Sequence, residues 1–294
     1  MSVPPILILN PGAGTQRKSR QLPKMIRQLR LAYPNLEIVS TNQAADGMIL
    51  AQKAVQKGCR LILCAGGDGT INEVVNGLAG TGASLAVLPT GTGNALAHEI
   101  GLPANPVKAV KCLASARPKG IPLGKVNNRY FLLLAGVGFD AFVISRVSPR
   151  LKRRSGIFAY LVAGFFSLFQ YPYPTIRFKL EDQVIIGTSA FLAKARCSLG
   201  PFALAPQAGL EEPWLDLFIL KGRGPVAYFR YTLAVLLGRL STLPDVEYRK
   251  IKEVVVSSDS AIWVHADGEP IEQADSYRIQ ATSDQVHLLV PPGP

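Results

Sequence analysis

Three glycine-containing loops, each placed between an apolar run and a helix-like segment, constrain the fold of this chain more than any other feature of its sequence. The loops occupy residues 10–14, 66–70 and 89–94, and they follow apolar runs at 6–9, 60–65 and 84–88. Apolar runs that alternate with helix-like segments predict a parallel sheet with helices on both faces. Because the carboxyl ends of parallel strands meet at one edge of the sheet, we expect the three loops to converge there.

The remaining elements predict two domains. In the first part of the chain, periodicity indicates a further strand at 36–41 and helices at 19–31, 44–57, 71–78 and 95–100. After residue 120, eight strand-like runs are interrupted only by helix-like stretches at 156–169 and 225–240. Many short strands separated by turn residues are typical of an antiparallel sandwich. We therefore predict an α/β domain at 1–119 and a β-sandwich domain at 120–294.

The loop at 66–70 has the composition of a phosphate-binding turn. Its glycines allow backbone N–H groups to approach phosphate oxygens, and the helix N-terminus that follows adds partial positive charge. Asp68 would repel a phosphate unless it meets the nucleotide through Mg²⁺ or its bound water. Taken alone, the loop is equally typical of a turn in which Asp68 caps the helix. The two similar loops favour a nucleotide site, although the chain has no Gly-Lys-Ser/Thr P-loop and no GxGxxG after its first strand.

Five motifs follow one another in a recognisable order along nearly the whole chain. They are Asn-Pro-Gly-Ala-Gly at 10–14, Gly-Gly-Asp-Gly-Thr with Asn-Glu-Val-Val-Asn-Gly at 66–77, Gly-Thr-Gly-Asn at 91–94, Gly-Val-Gly-Phe-Asp-Ala at 136–141 and Asp-Gly-Glu at 267–269. In this order they resemble the diacylglycerol kinase catalytic-domain family, which includes bacterial lipid kinases, sphingosine kinases and ceramide kinases. The resemblance implies an ATP- and Mg²⁺-dependent lipid kinase, with ATP in the cleft between an α/β domain and a β-sandwich. It favours the hydroxyl of diacylglycerol as acceptor, with a sphingoid base or ceramide as the alternative.

The resemblance also implies roles for individual residues. Asp267 matches the general base that takes the proton of the lipid hydroxyl, although an isolated Asp-Gly dipeptide is more typical of a hairpin turn. In the sphingosine-kinase arm, the acid matching Asp140 contacts the lipid head and the acid matching Asp68 serves as the base. Asp140 taken alone is equally typical of a helix cap or a local salt bridge. The positions that match nucleotide contacts are Asn10, Thr41, Gly66, Gly67, Asp68, Gly69, Thr70, Ile71, Asn72, Thr92, Asn94 and Glu269.

Two stretches depart from the bacterial members of the family. Those members hold a structural Mg²⁺ near an Asp-Gly-x-Leu-Asp turn, which reads Glu-Pro-Trp-Leu-Asp at 212–216 in this chain. The ligands of a second Mg²⁺ would then be Glu212 and the carbonyls of Gly209 and Trp214. In addition, an acid that helps to organise the metal in bacterial members is replaced by Ala95, as in the sphingosine-kinase arm.

Other functions stay open at this point. The departures above are compatible with a lipid-binding or regulatory protein that has lost catalysis, whereas the retained Asp68, Asp267 and Glu269 favour an enzyme. An NAD kinase has a similar Gly-Gly-Asp-Gly loop, but its other motifs are not matched. Nucleic acid is not expected as a partner, because no recognised binding motif accompanies the positive charge. The three histidines, His98, His265 and His287, are scattered along the chain, and we expect them to be structural or surface residues.

The distribution of charge indicates an anionic partner. The net charge is +12, and residues 100–180 contain thirteen Lys or Arg and one acid, Asp140. The uncharged stretch 156–171 follows a basic run at 150–154 and is shorter than the ~20 apolar residues that a spanning helix needs. It is typical of a buried helix or of one that docks on an anionic membrane. The N-terminus lacks the basic region of a signal peptide, so we predict a cytoplasmic protein in peripheral membrane contact, with a homodimer left open.

Overall fold

Two structural units make up the chain, Met1–Pro122 with Asp284–Pro294 and Leu123–Ser283. The structure is a computed structural model, which describes residues 3–147, 157–181, 183–196, 198–199 and 202–292. The predicted basic run at 150–154 lies outside these residues.

The first unit is built on a parallel sheet. Strand β1 (Ile6–Leu9) lies between β2 (Glu37–Ser40) and β3 (Leu61–Gly66), and β4 (Ser84–Pro89) pairs with the other side of β3. The helices of this unit are α1 (Gln16–Ser19), α2 (Leu22–Ala32), α3 (Asp46–Gln56), α4 (Asp68–Leu78), α5 (Ala95–Glu99) and α6 (Pro106–Leu113). This alternation confirms the predicted α/β fold.

The apolar runs become the central strands because both faces of the sheet are covered. Leu7, Ile8 and Leu63 have no solvent exposure, as expected where a parallel sheet is packed between helices. β2, at the sheet edge, has partly exposed side chains. The short connections bring each helix start close to the end of the preceding strand, so that only Gly67 separates β3 from α4. This arrangement places the glycine loops at the carboxyl edge of the sheet.

The second unit is an antiparallel β-sandwich that also contains helices, as predicted. Its helices are α7 (Phe139–Arg146), α8 (Ile157–Gln170) and α9 (Gly224–Leu236). The strands after β4 are β5 (Arg117–Val126), β6 (Arg129–Phe131), β7 (Leu134–Val137), β8 (Ile176–Lys179), β9 (Val184–Gly187), β10 (Ser189–Ala193), β11 (Ser198–Leu199), β12 (Phe202–Ala203), β13 (Leu215–Leu220), β14 (Val246–Ile251), β15 (Glu253–Ala266) and β16 (Glu269–Val290). The main sheet of this unit has the strand order β14-β13-β10-β7-β15-β16, with β8 paired to β15 and β9 to β8.

Both faces of the central strands in the second unit are buried. On β13, Leu217 belongs to one apolar core and its neighbour Phe218 to another, as the two-residue period of a strand requires. The core that contains Phe218 also includes Phe142 of α7, Leu168 of α8 and Tyr228 of α9. The three helices therefore cover one face of this sheet. Among the described residues, none of the helices combines the length and apolarity needed to cross a membrane.

The C-terminal segment differs from the predicted domain boundary. Residues 284–294 belong to the first unit, whereas the change in sequence texture placed everything after residue 120 in the second domain. The physical reason is the end of β16, where His287 and Leu288 lie beside Ser84 and Leu85 of β4 in parallel. This pairing covers a strand that would otherwise present unpaired backbone groups.

Candidate active site

The three glycine loops of the first unit converge, as the parallel topology predicts. The Asn10 side-chain amide donates a hydrogen bond to the Thr70 hydroxyl at 2.8 Å, which joins the first loop to the second. The backbone N–H of Gly91 donates to the Gly66 carbonyl at 3.1 Å, which joins the third loop to the second. A Cβ at Gly91 would lie 2.4 Å from the Gly67 Cα, so that only glycine allows this approach.

Asp68 lies at the centre of the converging loops. It is the first residue of α4, whose N-cap is Gly67, so the carboxylate does not cap its own helix. Instead, Asp68 Oδ1 accepts a hydrogen bond of 3.4 Å from the backbone N–H of Leu96 in α5. The first N–H groups of a helix have no partner within the helix. An anionic phosphate at this edge would therefore meet N–H donors of α4 beside a carboxylate that is suited to Mg²⁺.

Lys18 adds a positive charge that the sequence analysis did not identify. Its ammonium donates to the Gly91 carbonyl at 2.5 Å and to the Pro89 carbonyl at 3.4 Å. Burial lowers the pKa of Lys18, and the nearby Asp68 carboxylate opposes this shift. A lysine one helical turn after the first glycine loop was the available signal. Lys18 and Asp68 thus place opposite charges close to each other at the converging loops.

The remaining predicted nucleotide contacts of the first unit lie at the ends of its strands and in the loops that follow them. Thr41 is buried and donates its N–H to the Leu9 carbonyl at 2.9 Å, at the end of the neighbouring strand. Asn94 adopts φ 55° and donates its side-chain amide to the Gly91 carbonyl at 2.8 Å, which shapes the third loop. Thr92 is exposed on that loop. The predicted nucleotide contacts at the end of β3 and in the first turns of α4 are Gly66, Gly67, Gly69, Thr70, Ile71 and Asn72.

Asp267 in the second unit forms the hairpin turn that its dipeptide indicates. Asp267 and Gly268 connect β15 to β16, and both have positive φ, 50° and 81°. The Asp267 carboxylate accepts hydrogen bonds of 2.8, 2.8 and 3.0 Å from the backbone N–H groups of Leu132, Leu133 and Leu134. The turn therefore anchors the start of β7. Glu269, the first residue of β16, is half-buried beside it.

Asp140 pairs with a histidine that the sequence analysis expected to be structural or at the surface. His265 is 1% exposed, and its Nε2 lies 2.6 Å from Asp140 Oδ2. The Gly268 N–H donates to His265 Nδ1 at 3.1 Å, which assigns the ring proton to Nε2 and makes the imidazole the donor to Asp140. A Cβ at Gly136 would lie 2.2 Å from His265 Nε2, so the glycine leaves the space for this pair.

A buried lysine occupies the turn where the resemblance implied a second Mg²⁺. Lys194 is 1% exposed, and its ammonium donates to the Leu210 carbonyl at 2.7 Å and to the Glu212 carbonyl. The Gly209 carbonyl accepts the N–H of Glu212 at 3.1 Å. The described residues contain no group of three acidic, His or Cys side chains that could hold a metal ion. Lys194 thus places a positive charge in the turn that carries the predicted ligands Gly209, Glu212 and Trp214, and a second Mg²⁺ there stays a prediction.

Two family models together match most of the chain. The model described as the diacylglycerol kinase catalytic domain matches residues 4–126. The model described as the YegS C-terminal NAD kinase beta sandwich-like domain matches residues 134–289. Their succession agrees with the α/β unit and the sandwich of the structure.

Curated relatives and solved structures agree with this assignment. The chain is 30% identical over 267 residues to the diacylglycerol kinase of Staphylococcus saprophyticus, covering 90% of this chain and 88% of the relative. It is 31% identical over 267 residues to the diacylglycerol kinase of Staphylococcus carnosus, covering 90% and 87%. A crystal structure from Bacillus anthracis superposes with a TM-score of 0.81 at 24% identity, covering 98% of this chain and 95% of that one. A second, described as a diacylglycerol kinase from the same species, gives a TM-score of 0.75 at 23% identity, covering 98% and 97%. The solved structures share the fold.

Proposed function

The chain belongs to the diacylglycerol kinase family of lipid kinases, and from this premise we propose that it transfers the γ-phosphate of ATP to a lipid hydroxyl, that of diacylglycerol in particular. The observation that carries the proposal is the placement of Asp68 and Lys18 at the convergence of three glycine loops. A site of this kind combines backbone N–H donors, a cation and a carboxylate around phosphate oxygens.

Each group in the first unit has a distinct proposed role. The N–H groups at the start of α4 would bind phosphate oxygens, and the Lys18 ammonium would stabilise the charge that develops on the transferred phosphoryl group. Asp68 would hold Mg²⁺, which would neutralise phosphate charge when it is bound. Asn10 would keep the first loop in place through its bond to Thr70. Because phosphoryl transfer depends mainly on positioning and electrostatics, no covalent intermediate with the protein is needed.

Asp267 is the proposed general base. Asp68, as in the sphingosine-kinase arm, and Asp140 are the alternatives. A carboxylate offers about four lone-pair sites, and the backbone of Leu132, Leu133 and Leu134 uses three of those on Asp267. Asp140 instead keeps a side chain that is 27% exposed and accepts a hydrogen bond from His265 through one oxygen. We therefore propose that Asp140 binds the acceptor hydroxyl, as the resemblance implies, and takes its proton if Asp267 is only structural.

The proposed site of action is the cytoplasmic face of an anionic membrane. A lipid hydroxyl lies at the headgroup layer, so that a kinase without a spanning helix among its described residues must reach it from the surface. The positive net charge of +12 favours attraction to anionic lipid. A homodimer remains part of the proposal, to be checked by measuring the mass in solution.

The deciding experiment incubates the protein with labelled ATP, Mg²⁺ and a panel of acceptors in mixed micelles. The panel contains diacylglycerol, monoacylglycerol, phosphatidylglycerol, sphingosine and ceramide, with NAD as a soluble acceptor. We expect label in phosphatidic acid, formed from diacylglycerol. Label in another lipid would change the assigned substrate but leave the lipid kinase activity standing. Label in NAD alone would overturn the proposal.

A further inference from the structure

Two neighbouring helices of the second unit present bulky apolar side chains to solvent. On α9, Val226 is 85% exposed and Phe229 is 64% exposed. α8 contacts α9, and its Phe165, Phe166 and Phe169 are more than half exposed, with ring centroids 5.7 Å apart in two pairs. We define the outer face as these residues together with Leu233, Leu236 and Leu237. Large exposed apolar sets of this kind are rare on monomeric proteins and mark interaction surfaces.

The geometry of α9 separates its exposed side chains from its packed ones. Val226, Phe229 and Leu233 follow one another at spacings of three and four residues, which places them on one stripe of the helix. Tyr228 and Tyr231 point the other way and are buried in the aromatic core. The outer stripe is therefore not needed to pack α9 onto its own sheet. An ordinary surface helix would carry polar residues there.

The dimensions and termini of α9 suit a helix that lies in a membrane surface. Thirteen residues span only about 20 Å, less than the ~30 Å of a hydrocarbon core. Arg223 precedes the helix and Arg239 follows it, and the sequence from Lys221 to Pro244 contains four basic residues and no acid. An apolar stripe flanked by cations is typical of interfacial helices on anionic lipid.

Arg146 and Arg223 bind neutral partners, whereas Arg230 of α9 pairs with Asp245 and Lys221 pairs with Glu247. Arg146 donates to the neutral Gln170 side chain and stacks on the Phe142 ring, with its guanidinium carbon 4.1 Å from the centroid. Arg223 donates to the Tyr173 carbonyl at 3.0 Å and to the Thr175 hydroxyl at 2.5 Å. A second copy related by a two-fold axis would bring such cations together, which disfavours self-association through this face.

We infer that the outer face of α8 and α9 inserts into the headgroup layer of an anionic bilayer, a partner assignment that deepens the proposed function and rests on it. The apolar side chains would replace water with acyl chains, and the flanking arginines would bind lipid phosphates. The same helices also carry the aromatic core of the sandwich, so insertion fixes the orientation of the second unit on the bilayer.

Vesicle flotation with two charge-neutral variants tests the inference. The first is Phe229→Gln with Leu233→Gln, and the second is Val226→Gln with Leu237→Gln, which changes more exposed positions. The matched control is Leu31→Gln, a leucine of α2 in the first unit that is 77% exposed. With vesicles rich in phosphatidylglycerol, we expect the bound fraction of each double variant to fall about tenfold or more, and the control to bind like the wild type. Unfolding midpoints and activity on a dispersed short-chain diacylglycerol should be retained.

The outcomes separate this inference from the proposed function. Vesicle binding by both double variants at the wild-type level would overturn the inference. So would a wild-type dimer that the double variants convert to monomer with unchanged vesicle binding, because the face would then serve self-association. A wild type that binds vesicles through this face but phosphorylates no lipid would contradict the proposed function and leave the surface assignment standing.

Discussion

His265 Nε2 donates to Asp140 Oδ2 at 2.6 Å, although 125 positions separate the two residues in the chain. The imidazole is buried and its other nitrogen is fixed by the Gly268 N–H, so it can hold the carboxylate in one orientation. The same turn supplies Gly268 and Asp267. The hairpin of β15 and β16 thus links the two acidic candidates of the second unit.

We expect His265→Phe to lower kcat/KM for the lipid by about 10- to 100-fold, since a hydrogen bond to a charged group is worth about 1.5–3 kcal/mol. ATP affinity should be unchanged. His265→Gln can still donate a hydrogen bond and should recover part of the loss, which a merely structural role would not require. Gly136→Ala should act like His265→Phe, because its Cβ would lie 2.5 Å from Asp140 Oδ2. Steady-state kinetics with varied lipid provide the measurement.

Asp68→Ala should remove most activity, by about 10²-fold or more, because it leaves Mg²⁺ without its carboxylate. The folded state should persist, since Asp68 makes one long hydrogen bond to Leu96. Titration with ATP in the presence and absence of Mg²⁺ checks the reason for the loss. Normal turnover by a folded Asp68→Ala protein would contradict the assignment of the site.

Gly91→Ala should weaken ATP binding and activity, because its Cβ would lie 2.4 Å from the Gly67 Cα and push two loops apart. Gly12→Ala is the matched control within the same site, since its nearest contact would be an ordinary 3.4 Å from Asn10 Oδ1. Calorimetric ATP binding should show a clear difference between the two variants. Equal affinities would mean that the loops do not need this close approach.

Asp267→Asn should reduce kcat by about 10²-fold if Asp267 is the base. It should also lower the free energy of unfolding by about 1–3 kcal/mol, because an amide nitrogen would face backbone N–H donors. Activity per folded molecule, measured alongside urea unfolding, distinguishes the two effects. A destabilised variant that keeps its turnover would exclude Asp267 as the base and leave Asp68 and Asp140 as the candidates.

We expect Lys194 to make the free energy of unfolding depend on pH in the alkaline range. Burial lowers its pKa from 10.5 to about 8, although Glu212, Asp216 and Glu211 oppose the shift. Between those values the unfolded chain binds more protons than the folded one, so the free energy of unfolding contributed by Lys194 rises with pH. Lys194→Arg stays charged throughout and should lack this rise. Urea unfolding at intervals from pH 7.5 to 10 compares the slopes, and parallel curves would contradict the prediction.

The fold could be predicted from the sequence wherever an element depends on a short, continuous sequence pattern. The apolar runs at β1, β3 and β4 and the glycines behind them predicted both the parallel sheet and the convergence of the loops. By contrast, α6 and α7 were not predicted. α7 is short, and its buried Phe142 sits among apolar residues without a clear amphipathic period.

The site was predictable in part, because a sequence motif identifies the chemical groups of a site but not the residues that contact them in the fold. Asp68 and Asp140 stood out as acids in glycine-rich or basic surroundings. The sequence did not predict the contact of His265 with Asp140 or of Lys194 with the turn at 212–216. Pairing of β15 with β7 and of β10 with β13 brings these distant residues together. A lone histidine or lysine in an apolar strand gives no signal of such a contact.

The last residues of β16 have a consequence for how the protein is made. Because His287 and Leu288 pair with β4, the first unit lacks this strand until the ribosome has synthesised residue 288. The glycine loops emerge early, yet their supporting sheet closes late. A nascent chain would therefore carry an open edge at β4 until these residues are made, and open strand edges promote aggregation.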